Sequence, residues 1–147
     1  MSTPTSYRIP VVSVRMVRES TLLVPRKEVL TSDDAAAIAR DFIGQPDREH
    51  LIAIFVDAGG RPIGIHRASV GGTSHCIVDA PSILRAAILA CARAIVLAHN
   101  HPSGDATPSA QDVTATRAFA DAANAVGIPL LDHITLGEVS HRSVPFT

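Results

Sequence analysis

Two short, uninterrupted apolar runs constrain the fold of this chain more than any other feature of its sequence. They are residues 51–56 (LIAIFV) and 94–98 (AIVLA). Both are far shorter than the roughly 18–20 residues that a membrane-spanning helix needs. A strand that is apolar on both sides is typical of a sheet covered on both faces. Segments with helical patterns alternate with such strands, so we expect the α/β class, with a mixed β-sheet flanked by helices.

The remaining elements are predicted from hydrophobic periodicity and turn residues. The predicted helices span residues 32–43 (with Ser32 as the N-cap), 82–91 and 109–126. The other predicted strands span residues 12–16, 21–24, 62–69, 75–78, 129–136 and 139–144. The first two of these pair into an N-terminal hairpin. Residues 1–30 are therefore expected to belong to the same unit as residues 31–147, and the exposed edge of the hairpin would permit a homodimer.

Composition and charge narrow the possible functions. A chain of 147 residues suits one compact domain. The formal net charge is −1, which argues against an extended basic surface for nucleic acid, and an aromatic content of 3% argues against a base-stacking platform. The two cysteines form no CxxC pair, and the N-terminus lacks the pattern of a secretory signal. We therefore expect a cytoplasmic protein with no membrane partner.

The stretch that follows the apolar run at 94–98 carries the chemistry. His99 and His101 are two residues apart on extended backbone, which places both imidazoles on the same side of the chain. Asp112, in the first turn of the next predicted helix, can bring a carboxylate to them. Two histidines and one aspartate leave a fourth position open, which is typical of a catalytic zinc site. Glu49 precedes the strand at 51–56 and is the candidate for a general base that is not a ligand.

Several of these residues have simpler interpretations. Ser109-x-x-Asp112 also fits a capping box that starts the helix. Asp105 could replace Asp112 as the ligand, although its surroundings favour a turn. Asp132-His133 could support the site from behind or make a purely structural hydrogen bond.

The combined pattern is more specific than its parts. His99-x-His101-x7-Ser109-x2-Asp112, with an upstream glutamate, resembles the JAMM motif of JAB/MPN+ metalloproteases. Residues 47–64, 94–112 and 127–137 are similar to the RadC-like subgroup, and the resemblance covers residues 30–147. It implies a JAB1/MPN-like (cytidine-deaminase-like) fold with Zn²⁺ held by His99, His101 and Asp112. By the same resemblance, Glu49 would activate water and Ser109 would stabilise the oxyanion.

The resemblance implies a zinc metallopeptidase that acts on a protein or peptide, by hydrolysis of a peptide or isopeptide bond. A second hypothesis follows from the DNA-repair label of RadC-like proteins: a non-catalytic repair or recombination accessory with a structural metal. Residues 1–30 do not show the helix-hairpin-helix pattern that such proteins carry, which weakens the expectation of direct DNA binding. A third hypothesis, a nuclease centre, would rely on Arg117 to hold phosphate.

Overall fold

A computed structural model describes residues 1–24, 28–29, 31–71 and 78–147. The helices are α1 (Ser32–Ile43), α2 (Ala80–Leu89) and α3 (Ala110–Ala125). The strands are β1 (His50–Val56), β2 (Pro62–Val70), β3 (Ala94–Asn100), β4 (Leu130–Leu136) and β5 (His141–Ser143). No helix within these described ranges is long and apolar enough to cross a bilayer.

The five strands form one mixed sheet in the order β2-β1-β3-β4-β5. Strands β3 and β4 are parallel, and every other neighbouring pair is antiparallel. A parallel pair needs a crossover connection, and α3 provides it. The mixed sheet with flanking helices confirms the predicted fold class.

The central strands are covered on both faces, as their apolar composition predicts. Side chains alternate across a strand, so β1 contributes to two separate cores. One core lies between the sheet and helices α2 and α3, and it contains Leu51, Ala53, Phe55, Ile83 and Phe119 among its buried residues. The other lies between the sheet and α1, and it contains Ala35, Ile38, Ile52, Ile54 and Ile134 among its buried residues. The site described below therefore rests on a strand pair that is fixed from both sides.

The predicted N-terminal strand pair is wrong for residues 12–16 and 21–24. Residues 1–24 contain neither helix nor strand, and the apolar side chains that suggested a strand are exposed: Val12 by 81%, Val14 by 71% and Met16 by 59%. A two-stranded hairpin is marginal in water without a surface against which to pack. Only Leu22 and Val24 of this segment lie against the core beside α1.

Element boundaries differ from the predictions in three informative places. Helix α1 is capped by Thr31, which forms a capping box with Asp34, and not by the expected Ser32, whose hydroxyl donates to Asp132. Helix α2 begins directly after its cap Asp79. Strand β3 continues to Asn100 because its last two residues pair with β4. Of the strand predicted at 75–78, residues 75–77 lie outside the described residues.

Candidate metal centre

The site lies where three chain segments meet at one edge of the sheet. Strands β1 and β3 are antiparallel, with Leu51 opposite His99, so Glu49, which precedes β1, lies beside the carboxyl end of β3. Helix α3 begins after the loop that follows β3, and its first turn brings Asp112 back to the same edge. The expectation that Glu49, His99, His101 and Asp112 converge is met: one ligand atom from each lies within 4.8 Å of the others.

Three of these atoms form a tight triangle. The Nε2 atoms of His99 and His101 are 3.1 Å apart, and Oδ2 of Asp112 lies 3.3 Å from the first and 3.2 Å from the second. The Glu49 carboxylate lies just outside, with Oε1 3.7 Å from Nε2 of His99. Glu49 is 6% exposed and His99 is 2% exposed, so the group sits at the bottom of a recess. Imidazole nitrogens and carboxylate oxygens in this arrangement can hold a metal ion.

Asp112 completes the capping box of α3 and at the same time faces both histidines. Ser109 is the N-cap of α3: its hydroxyl accepts a hydrogen bond from Asp112 N–H, and its backbone N–H donates to Asp112 Oδ2 over 2.8 Å. The same Oδ2 faces both histidines. Burial alone would raise the pKa of Asp112, but its hydrogen bonds with Ser109 outweigh burial and hold that pKa well below its usual range. The carboxylate is therefore ionised and fixed in direction.

Each histidine is also held by its other ring nitrogen. Nδ1 of His101 donates to the backbone carbonyl of Asp105 at 2.9 Å. Nδ1 of His99 lies 2.7 Å from Nε2 of His133, and Nδ1 of His133 lies 2.7 Å from the hydroxyl of Thr116. His133 is 1% exposed, and burial, reinforced by His99, lowers its pKa well below the ordinary value.

Asn100 supports Glu49 from the opposite side of β3. Its Oδ1 accepts from the backbone N–H of His50 at 2.7 Å, and its Nδ2 donates to the carbonyl of Arg48 at 3.1 Å. These two bonds bracket Glu49 in the chain. The alternation of side chains along β3 explains the arrangement, because Asn100 lies between two histidines that point the other way.

A small cavity of about 80 Å³ opens beside the triangle. Its polar lining includes Glu49, His99 and Asp112, and its other walls include Leu51, Val78, Gln111, Ala115 and His133. A water molecule occupies about 30 Å³ of the liquid, so the space admits water or a small chemical group next to the carboxylate of Glu49.

The remaining candidates take other places. Asp105 does not replace Asp112: its carboxylate accepts from the backbone N–H of Thr107, which lowers the pKa of Asp105, and only its carbonyl serves His101. Ser109 is exposed, and it is the N-cap of α3, three residues before Asp112. Arg117 is exposed on α3 and does not line the cavity.

The support provided by Thr116 and Asn100 was missed in the sequence, whereas His133 was left open between two interpretations. Thr116 follows Asp112 by one helical turn, and its hydroxyl donates to the Asp112 carbonyl at 2.6 Å. Two signals were available: this spacing, and the position of Asn100 between the two histidines.

A family of known proteins matches the part of the chain that contains this cluster. The family model of the RadC-like JAB domain matches residues 29–145, which include all four residues of the cluster. The chain belongs to the RadC-like JAB domain family. The match leaves most of residues 1–30 outside, which is also the part of the chain in which the predicted strands are absent.

The curated relatives of this RadC-like JAB domain carry uninformative names. A UPF0758 protein of Syntrophomonas wolfei is 38% identical over 98 residues, which cover 67% of this chain and 42% of that protein. A UPF0758 protein of Carboxydothermus hydrogenoformans is 36% identical over 115 residues, 78% of this chain and 51% of that protein. A UPF0758 protein of Coprothermobacter proteolyticus is 36% identical over 125 residues, which cover 82% of this chain and 53% of that protein. The chain thus spans about half the length of these relatives.

Proposed function

We propose that this RadC-like JAB domain is a zinc-dependent metallohydrolase of the JAMM type that cleaves peptide or isopeptide bonds in a protein or peptide substrate. One observation carries the proposal: two imidazole nitrogens and one carboxylate oxygen meet within 3.1–3.3 Å, with a second, buried carboxylate at 3.7 Å. Three ligands with an open position suit a catalytic zinc ion, whereas structural zinc sites are usually closed by four protein ligands.

The hydrogen bonds around the triangle support a cation at its centre. Because a carbonyl oxygen only accepts, the 2.9 Å contact with Asp105 requires the proton of neutral His101 to be on Nδ1, which leaves a lone pair on Nε2. That lone pair faces the ionised Oδ2 of Asp112 at 3.2 Å. Two electron-rich atoms at this distance repel each other, and a bound cation would remove that repulsion. His99, His101 and Asp112 would supply the ligands for zinc.

The proposed reaction assigns a separate chemical role to each residue of the site. When bound, zinc would supply Lewis-acid chemistry that polarises a carbonyl group and acidifies water. Glu49, buried beside the cavity, takes a proton from the attacking water and returns it to the leaving amine. The Ser109 hydroxyl, which accepts from Asp112 N–H, would donate its proton to the developing oxyanion, a contribution of about 2.7–4 kcal/mol for single donors of this kind.

The test combines metal analysis with hydrolysis assays. We expect about one zinc per chain in the purified protein, lost in the His99→Ala variant, and cleavage of a fluorogenic peptide or isopeptide panel by wild-type protein. Glu49→Gln should keep the zinc and lose the activity. Glu19→Gln, which alters an exposed glutamate of the N-terminal segment, is the matched control and should behave as wild type.

Two results would contradict the proposal: purified protein without stoichiometric zinc, or a hydrolysis rate that Glu49→Gln leaves unchanged. Stoichiometric zinc with no hydrolysis of any panel member would instead favour the repair or recombination accessory. Binding of that accessory to DNA would then have to weaken as salt rises. A cytoplasmic location and a homodimer stay predictions.

A further inference from the structure

A chain of buried hydrogen bonds runs from α3 through β4 to the metal-facing histidine. It begins at the Thr116 hydroxyl, which donates its one proton to the carbonyl of Asp112 at 2.6 Å. The Thr116 oxygen can then only accept from Nδ1 of His133, 2.7 Å away, so this nitrogen carries a proton. Thr116 is fully buried and His133 is 1% exposed, so water does not compete for these bonds.

The next step determines the protonation of His99. A buried imidazolium is costly, so His133 carries only the proton on Nδ1, and its Nε2 is an acceptor. Nδ1 of His99 lies 2.7 Å from that acceptor and must donate to it. The proton of neutral His99 is therefore on Nδ1, and its lone pair is on Nε2, the atom that lies 3.3 Å from Oδ2 of Asp112.

We propose that Thr116 and His133 are positioning residues that fix the tautomer of His99 and thereby aim its Nε2 lone pair at the metal. The inference rests on the proposed zinc site, but it assigns a task to two residues that are not ligands. A metal-bound histidine ordinarily donates its second N–H to a carboxylate, a carbonyl or water. Here a second histidine takes that role, and its own direction is set by the helix that carries Asp112.

The direct test is the tautomer of His99 in metal-free protein, measured by long-range ¹⁵N–¹H correlation spectroscopy on histidine-labelled samples at neutral pH. In the wild type we expect His99 and His133 each to be protonated on Nδ1 and unprotonated on Nε2. In His133→Phe, which keeps a ring but removes both nitrogens, the fixed Nδ1–H pattern of His99 should be lost. Zinc affinity, measured by competition with a chelating dye, should fall by about 10- to 100-fold.

A second pair of variants guards against a simple loss of folding. Thr116→Val keeps the shape of the side chain and removes its hydroxyl, so it should also weaken zinc binding and release the tautomer of His133. Thr114→Val is the matched control, because Thr114 lies on the same helix and its hydroxyl likewise donates to a backbone carbonyl, that of Ala110 at 3.1 Å, but it is exposed. This control should bind zinc as the wild type does.

The inference is overturned if metal-free wild type carries the His99 proton on Nε2. It is also overturned if folded His133→Phe and Thr116→Val retain the wild-type tautomer of His99 and the wild-type zinc affinity. Failure of the proposed function looks different: wild-type protein would not bind zinc at all, while the tautomer measurement, made without metal, would still decide the present inference.

Discussion

Asn100 fastens the segment that holds Glu49 to the strand that holds the histidines, and its removal should be felt in both stability and activity. Replacement by leucine, of similar size, deletes the 2.7 Å bond from His50 N–H and the 3.1 Å bond to the Arg48 carbonyl. Each bond is worth about 1 kcal/mol net, so Asn100→Leu should lower the free energy of unfolding by about 2 kcal/mol. At roughly 2–4 °C per kcal/mol for a chain of this size, Tm should fall by about 4–8 °C.

Urea unfolding followed by circular dichroism measures the free energy of unfolding, and peptide hydrolysis measures the activity. Because Glu49 lies between the two bonded residues, kcat should fall while zinc content stays at the wild-type level. Asn124→Leu, at an exposed position of α3, is the control and should shift the unfolding free energy by no more than about 0.5 kcal/mol. The reasoning is refuted if Asn100→Leu is as stable as this control, or if it loses stability while kcat is unchanged.

Three further predictions concern the core, the loop and pH. Phe119→Ala, at a side chain 1% exposed between the sheet and α3, should cost about 3–5 kcal/mol in urea unfolding, and a loss below 1 kcal/mol would contradict the packing described. Gly137→Ala should weaken zinc binding in the dye competition, because its Cβ would lie 2.5 Å from the carbonyl oxygen of Gly104 and displace the loop behind His101; unchanged affinity would be contrary to this contact. Although burial opposes it, the hydrogen bond from Ser109 N–H lowers the pKa of Asp112, so this capping contact stabilises the fold above the ordinary pKa of 3.8 and is lost as pH falls below that value. The difference in unfolding free energy between zinc-free wild type and zinc-free Asp112→Asn should therefore shrink on acidification, and a difference independent of pH would argue against it.

The strands of the sheet were predictable where burial on both faces requires an uninterrupted run of apolar residues. Residues 51–56 and 94–98 are apolar throughout because each strand contributes to the cores on both sides of the sheet. The prediction of a strand at the alternating residues 12–16 is wrong for the converse reason. Alternation shows that a strand would have one apolar side, but it does not show that the fold offers a surface to cover that side.

The triangle of His99, His101 and Asp112 was predictable because its determinants are local. A period of two along β3 brings His99 and His101 together, and the capping box of α3 places Asp112. The supporting bonds depend instead on tertiary register. His133 reaches His99 only because β3 and β4 are parallel neighbours, and this pairing cannot be read from the spacing of the two residues in the chain.

One oxygen atom of Asp112 links the start of a helix to the candidate metal site. Oδ2 accepts from Ser109 N–H in the first turn of α3 and also faces both imidazoles. Any replacement of Asp112 therefore affects both the start of the helix and the histidine pair. If the proposed zinc site is correct, a substitution at Asp112 should therefore change thermal stability and metal binding together. In directed evolution, the first turn of α3 is where stabilising substitutions should be hardest to obtain without altering the candidate metal site.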